Sequence, residues 1–358
     1  MEKEMKTYKI GVIGGDGIGP EVIREGLKVL NTLSALDNFK YELVDYPWGS
    51  ERYLATGEAV PPNILDEYRQ LDAVLLGAIG DPRCPTGLVE HAVIMTMRVG
   101  LDLYVNLRPI TLYAEHLCPL KNKKPEDVDL VVCRENTEDA YTGPWGLTKK
   151  GTPDEIATSL MIYTRKGTER IIRYAFELCR ARNKRKKLTM VDKANAVRAH
   201  DLWTRTFEEV GREYPDIEKD HAYVDASCMW LVKNPEWFDV VVTTNLFGDI
   251  ITDLGAMIQG GMGIAASGNI HPGKVSMFEP IHGSAPKYAG KNVANPLATV
   301  NAVGMMLDYL GEKKSAARVD KAIRDLVSSK RIPSIEAKRG DVGLSTTEIG
   351  DLVAKEIS

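Results

Sequence analysis

Short apolar runs alternating with helical stretches constrain this chain's fold more than any other feature. KIGVIG at 9–14 precedes a helical pattern near 20–33, YELVDY at 41–46 precedes one near 62–69, and AVLLGAIG at 73–80 precedes one near 88–100. DLVVCRE at 129–135, LTMVDKA at 188–194 and FDVVVTTN at 238–245 continue the series. A short apolar run bounded by turn chemistry reads as a buried strand, and strands separated by helices pair in parallel. The chain is therefore expected to be an α/β protein with a largely parallel sheet. Each run ends in polar residues, and open α/β sheets bind ligands at the carboxyl ends of their strands. TGPWGLTKKGTPDEI at 142–156 is rich in Gly and Pro, and the strand-like ATSLMIYT follows it. An arm or hairpin apart from the main sheet accounts for both.

IGGDGIGPEV at 13–22 lies where a dinucleotide-binding turn would lie, between a strand and a helix. Its spacing is wrong for that role. Gly15, Gly17 and Gly19 give G-x-G-x-G instead of G-x-G-x-x-G, and Glu21 sets a negative charge where a pyrophosphate would sit. Asp45, about where a ribose-binding acid belongs, is then a decoy. A net charge of -4 gives no case for nucleic acid or an anionic membrane as partner. The basic run RARNKRKK at 180–187 reads as a solvated helix C-terminus. Five scattered cysteines without a C-x-x-C pair argue against a zinc ribbon or disulfide scaffold. With no signal-like leader and no long apolar run, the expected location is cytoplasmic.

The chemistry concentrates in three acids, three arginines, a lysine and a tyrosine. Asp249 and Asp253, four apart at the start of a helix, put two carboxylates on one face, and Asp225 in YVDAS also follows a strand signal. Acids are favoured in a first helical turn in any case, but three oxygen donors without nearby His or Cys suit Mg²⁺ or Mn²⁺. Arg98, Arg108 and Arg134 stand at strand or helix ends and fit a clamp for a carboxylate-bearing substrate, since a guanidinium pairs a carboxylate bidentately. Lys193 beside a divalent cation is a candidate base, and Tyr141 a candidate proton donor.

Six ordered segments carry a resemblance over nearly the whole chain: GDGIGPEV at 15–22, NLRP at 106–109, RENTEDAYTG at 134–143, VDKAN at 191–195, NLFGDIITDL at 245–254 and FEPIHGSAPKYAGKNVANP at 278–296. In these the chain resembles the β-decarboxylating 2-hydroxyacid dehydrogenases, the family of 3-isopropylmalate and isocitrate dehydrogenases. The resemblance implies a two-lobed α/β subunit that is not an ordinary Rossmann fold. Residues 1–103 and 260–358 would form a large cofactor-binding domain, and 104–259 a small domain with a clasping arm at about 142–165. It implies a homodimer with shared active sites, each taking Lys193 and Asp225 from the neighbour. Asp225, Asp249 and Asp253 would hold the metal. Lys193 would relay the proton of the substrate's 2-hydroxyl, hydride would pass to the nicotinamide, and Tyr141 would protonate the decarboxylated intermediate. GDGIGPEV becomes the start of a helix at the edge of the nucleotide site. The expected cofactor contacts are Gly77, Glu90, Glu279, His282, Gly283, Ser284, Ala285, Pro286, Lys287, Tyr288 and Asn295.

The helix before Arg98 should read the group at C3 of the 2-hydroxy acid. Isocitrate-type members offer Ser and Asn there, at positions corresponding to Ala92 and Ile94, so Ile94 and Met95 make an apolar wall suited to an isopropyl group. Oxidative decarboxylation of 3-isopropylmalate is the expected reaction. D-malate or tartrate, and isocitrate or homoisocitrate, remain alternatives, the last because RENTED looks isocitrate-like. A non-catalytic regulatory paralogue would lack the metal and proton-transfer residues, which are all present here. NAD⁺ is the family's usual cofactor for 3-isopropylmalate, with an Asp directly after H-G-S-A-P. Lys287 and Tyr288 stand there instead and suggest NADP⁺, because a lysine would attract a 2′-phosphate.

Overall fold

In the computed structural model, which describes residues 6–358, the strands come in chain order as Thr7–Gly15 (β1), Lys40–Asp45 (β2), Ala73–Ala78 (β3), Val105–Thr111 (β4), Asp129–Glu135 (β5) and Trp145–Thr148 (β6). Ile156–Ser159 (β7), Lys187–Asp192 (β8), Glu218–Tyr223 (β9), Val240–Thr243 (β10), Ala266–Ile270 (β11) and Ser276–Pro280 (β12) follow. Two compact units result. The first comprises the chain up to Leu103, Thr111–Pro125 and Ala256–Ser358; the second comprises Tyr104–Ile110 and Glu126–Gly255.

In the first unit the strand order is β2-β1-β3-β12-β11. Only the β11/β12 pair is antiparallel; the others are parallel, with Ile13 opposite Leu76 and Leu75 opposite Phe278. β3 is buried along its whole length, which explains its unbroken apolar sequence. The helix Gly19–Asp37 starts with Pro20 in its first turn and stops at Asn38 in the left-handed region. Its Val22, Val29, Leu30 and Leu33 are fully buried, at roughly 1.5–3 kcal/mol of burial each. It packs on the helices Leu297–Leu310 and Thr346–Ile357, the latter opened by a Ser345/Glu348 capping box.

In the second unit the order is β4-β5-β10-β8-β9, and β5, β10, β8 and β9 run parallel. The helix Arg165–Arg182 begins under a Thr164 cap and stacks Phe176 between Phe207 and Tyr214. Its basic C-terminal run is neutralised locally. Arg180 pairs with Asp216, Arg182 with Asp239, Lys184 with Asp129 and Lys187 with Asp220. β6 and β7 form an isolated antiparallel hairpin, with Trp145, Leu147 and Ile156 exposed. No described helix is long and apolar enough to cross a membrane.

Three details depart from the sequence reading. The strand after the arm stops at Ser159 instead of running to Thr164. The helix near 88–100 is interrupted by one π-turn, His91–Met95, between Leu88–Glu90 and Thr96–Gly100. Residues 111–125 belong with the first unit, because Leu112, Tyr113 and Ala114 are buried, Thr111 N donates to Gln259 Oε1 at 2.7 Å and Tyr113 hydroxyl donates to Asn301 at 3.3 Å.

Candidate active site

β10 ends at Thr243 and the helix Asn245–Ile258 follows at once, so Asn245, Asp249, Thr252 and Asp253 share one face. β5 pairs with β10 in the register that sets Arg134 opposite Thr243, delivering Arg134 to that helix start. Arg134 is almost fully buried. Its Nε and Nη2 donate to Asn245 Oδ1 at 3.0 and 2.7 Å, and its Nη1 donates to Asp249 Oδ1. Gly248 makes this approach possible, because a side chain there would strike the Arg134 stem. From β4, Arg108 Nη1 donates to Thr252 Oγ1 at 2.6 Å, and its Nη2 lies 3.3 Å from Asp249 Oδ1. Arg108 Nη1 also lies 3.9 Å from Asp253 Oδ1. Tyr141 completes the group: its hydroxyl donates to Asp249 Oδ2 at 2.7 Å, and the Arg134 guanidinium sits 5.3 Å from its ring centre.

Burial, and then the Asp249 charge, raise the Asp253 carboxyl above its ordinary range, against the opposing pull of Arg108 and Arg134. A divalent cation would relieve that repulsion. The donors are all carboxylate oxygen, the chemistry that Mg²⁺ and Mn²⁺ accept, and Mg²⁺ commonly takes only one or two protein carboxylates. The pair therefore fits such an ion. Asp225 does not join it within one chain: among the described residues no three His, Cys, Asp or Glu side chains gather to hold a metal. Asp225 lies in the first turn of the helix Val224–Lys233, with Oδ1 2.6 Å from Lys193 Nζ, and this ammonium holds its carboxyl below the usual carboxylate range.

The acids of RENTED fold the turn that carries Tyr141. Glu135 accepts from Thr137 N and Oγ1 at 2.8 and 2.7 Å and from Glu138 N at 2.8 Å, and Glu138 accepts from Thr164 N at 2.9 Å.

In the first unit, GGDGIGPEV shapes a loop by its backbone. Gly15 and Gly17 hold φ of 71° and 59°, and a side chain at Gly17 would collide with the Ser284 carbonyl. Ile18 N donates to that carbonyl at 2.8 Å. Asp16 accepts from Ser50 N and Oγ at 2.7 Å and from Gly80 N at 2.8 Å. Glu21, the acid that excludes a pyrophosphate, accepts from Gly290 N and, at 3.0 Å, from Asn292 N. It thereby ties the far end of the HGSAPKYAGKN loop to the helix start.

Two cavities flank this loop. One, of about 530 Å³, runs from Ile79 through Asp81 and Cys84 to Glu90 and is closed by Gly283, Ser284, Ala285 and Pro286. The other, of about 340 Å³, is bounded by Ile18, Met262, His282, Ala285, Tyr288, Asn295 and Arg339. Burial pushes the His282 imidazole below its ordinary value. Lys287 is exposed, with Nζ 4.7 Å from the Tyr288 ring centre.

Gly77 lines neither cavity. It is buried in β3, where a side chain would meet the Gly14 and Gly19 backbone, so a glycine is needed there for packing. Glu279 is likewise occupied, accepting from Arg98 Nη2 at 3.2 Å and from Asn269 Nδ2 at 2.7 Å. Arg98 is buried, and among the described residues its Nε has no hydrogen-bond partner. Ile94 and Met95 lie partly buried in the π-turn, a feature frequent at functional sites, and Ile94 packs against the apolar core beneath. Sequence reasoning missed Asn245 and Thr252, although their i and i+7 spacing around Asp249 was visible. It also missed Arg339, whose place beside Tyr288 depends on a return of the chain with no local signal.

Comparison with known proteins places the chain in a family. Residues 9–353 match the isocitrate/isopropylmalate dehydrogenase family. The chain is 48% identical over 356 residues to 3-isopropylmalate dehydrogenase of Thermobifida fusca (strain YX), covering 99% of this chain and 98% of that protein. It is 47% identical over 350 residues to 3-isopropylmalate dehydrogenase of Mycobacterium avium (strain 104), covering 97% and 99%. Among solved structures it resembles isocitrate dehydrogenase from Methylococcus capsulatus, with a TM-score of 0.87 and 35% identity over 98% of this chain and 99% of that one. The β-decarboxylating dehydrogenase from Thermococcus kodakarensis follows the same fold, with a TM-score of 0.77 and 33% identity over 98% and 96%. Matched over nearly its whole length by the family model and by these relatives, the chain belongs to the isocitrate/isopropylmalate dehydrogenase family.

Proposed function

We propose that this chain catalyses the metal-dependent oxidative decarboxylation of 3-isopropylmalate to 4-methyl-2-oxopentanoate, a step of leucine biosynthesis, with a nicotinamide cofactor. The observation that carries the reading is the Asp249/Asp253 pair set against Arg108 and Arg134 and bonded to Tyr141. It offers a hydroxy diacid a cation site and two guanidinium groups at once. Arg108 and Arg134, fixed by Thr252 and Asn245, present their donors to the substrate carboxylates. When bound, Mg²⁺ or Mn²⁺ at Asp249 and Asp253 would acidify the 2-hydroxyl and draw the negative charge that develops as CO₂ leaves, while the nicotinamide takes up hydride. Lys193, once it has released its ammonium proton to solvent, would accept the hydroxyl proton as the neutral amine, and Tyr141 would return one to carbon.

Because Asp225 stands with Lys193 and not with the acid pair in one chain, a homodimer completes each site with the partner subunit's Lys193 and Asp225. Ala92 and Ile94 stand where an isocitrate reader offers Ser and Asn, and the apolar wall of Ile94 and Met95 favours the isopropyl substituent over a third carboxylate. The 48% identity to a 3-isopropylmalate dehydrogenase supports the same choice. The loop 282–288 with its two cavities receives the nicotinamide cofactor. NAD⁺ is the family expectation, and Lys287 with Arg339, which borders the same cavity as Tyr288, favours tolerance of NADP⁺.

The reaction class is tested with purified protein, 3-isopropylmalate and each cofactor, following reduced nicotinamide and released CO₂ with and without EDTA. Turnover that needs Mg²⁺ or Mn²⁺ and yields equal CO₂ and reduced cofactor supports the reading; turnover without CO₂, or unaffected by EDTA, refutes it.

A further inference from the structure

One buried hydrogen-bonded chain in the second unit has no part in the chemistry above. Lys193 N donates to His200 Nδ1 at 2.9 Å, so the proton of the neutral ring is on Nε2. His200 Nε2 lies 3.0 Å from the Tyr163 hydroxyl, and Tyr163 donates to Asp139 Oδ1 at 2.8 Å. His200 and Asp139 are completely buried. The rings of Tyr163 and His200 meet edge to face at 5.1 Å, and Phe247 covers the other side of His200. Burial depresses the His200 imidazole and so reinforces the neutral form that this sequence of donors requires.

At its far end the chain meets strain. Asp139 holds φ at 75°, in the left-handed region that is strained for a non-glycine residue. Three donors fix it there: Tyr163 hydroxyl, Ala140 N at 2.7 Å and, on Oδ2, Leu246 N at 2.9 Å. The one-turn helix Asp139–Tyr141 starts from this residue, and two residues on, Tyr141 reaches Asp249. At the near end, Lys193 O accepts from Ala196 N and Val197 N at 2.9 and 2.8 Å, so His200 grips the first residue of a tight turn carrying the lysine side chain.

We propose that His200, Tyr163 and Asp139 form a strut that sets the backbone of Lys193 and the turn of Tyr141 together, which makes His200 and Tyr163 positioning residues for both proton-transfer groups. The strut acts through the segments it holds. This role rests on the functional assignment of Lys193 and Tyr141 made above, but the strut itself is testable without turnover.

Tyr163→Phe removes the hydroxyl and keeps the ring. His200→Asn keeps an acceptor for Lys193 N, His200→Gln keeps a donor toward Tyr163, and His200→Ala keeps neither. Two readouts apply, both on folded protein of matched melting temperature. In amide hydrogen exchange, Tyr163→Phe should raise exchange in the peptides covering 139–143 and 193–197 together; a rise confined to one of them, or none, overturns the strut. In turnover with whichever 2-hydroxy acid the wild type accepts, Tyr163→Phe and His200→Ala should lower kcat by roughly 10- to 100-fold with KM within about twofold, the pattern of misplaced groups and not of lost binding. His200→Asn and His200→Gln should each recover part of that loss. Unchanged kcat, or a fall in kcat that only tracks the folded fraction, contradicts the positioning role. A wild type inactive on every 2-hydroxy acid would overturn the functional reading alone, and the exchange result would still decide the strut.

Discussion

The acid and arginine cluster on the helix Asn245–Ile258 and the loop 282–292 are built by opposite means. In the cluster, side chains satisfy one another: Arg134 spends its donors on Asn245 and Asp249, and Arg108 on Thr252 and Asp249. In the loop, backbone amides and carbonyls carry the contacts, Glu21 and the Gly17–Ser284 approach hold the shape, and the space around it is left open. Charged side chains that neutralise each other in the free protein can exchange partners for a metal and a diacid. A backbone-built loop can hold a large cofactor whose specificity rests on one or two exposed side chains.

The largest effect belongs on the side-chain half. Lys193→Met should lower kcat by about 10²- to 10⁴-fold, the usual worth of a proton-transfer group, with KM and metal affinity near wild type. Near-normal kcat would remove Lys193 from the chemistry. Mixing this variant with Arg134→Met should restore activity after subunit exchange if sites are shared, and should not if each chain is self-sufficient.

On the loop half, chemistry should be untouched and only cofactor choice should move. Lys287→Asp is expected to shift the NADP⁺/NAD⁺ ratio of kcat/KM toward NAD⁺ by roughly 10- to 150-fold, the scale of one charge-assisted hydrogen bond. An unchanged ratio would mean that Lys287 does not read the 2′-position. Gly17→Ala tests the backbone itself. With φ at 59° and the Ser284 carbonyl in the way, it should cost about 1–3 kcal/mol of stability, read as a lower Tm, and weaken both nicotinamide cofactors alike. A full-strength Tm would show that the loop is not held by this approach.

The smallest effect is electrostatic and lies beside the lysine. His221 Nε2 is 2.9 Å from the buried Asp192, which raises the imidazole above its ordinary 6.5. A raised histidine contributes stability that is fully present below the unfolded value and is lost as pH climbs through the folded one. Urea midpoints should therefore fall slightly between pH 6 and pH 8 in wild type and less so in His221→Gln; equal slopes would dissociate the pair from stability.

The two halves also differ in how much of them the sequence discloses. Alternating strand and helix patterns disclosed the α/β order, because strands such as β3 are buried outright and strands such as β10 feed a helix directly. Asp249 and Asp253 were legible because they share one helix face, and Arg134 because it ends a strand. What holds them was less visible: Asn245 and Thr252 read as ordinary helix residues until the register of β5 on β10 brings Arg134 against them. On the loop side, packing was the less legible part. Gly77 reads as a cofactor approach, and the fold adds that a glycine is needed there because three backbone segments meet. The strut joins residues 139, 163, 193 and 200 through Tyr163 and His200, which lie outside the six quoted segments, so only the fold discloses it.

Substrate choice tests the central claim most directly. Purified protein with Mg²⁺ or Mn²⁺ should show its highest kcat/KM on 3-isopropylmalate when run beside isocitrate, homoisocitrate, D-malate and tartrate. One or two methylenes of apolar contact at Ile94 and Met95 give roughly 10- to 200-fold discrimination. A higher kcat/KM on isocitrate, or on any other member of that panel, would contradict the account.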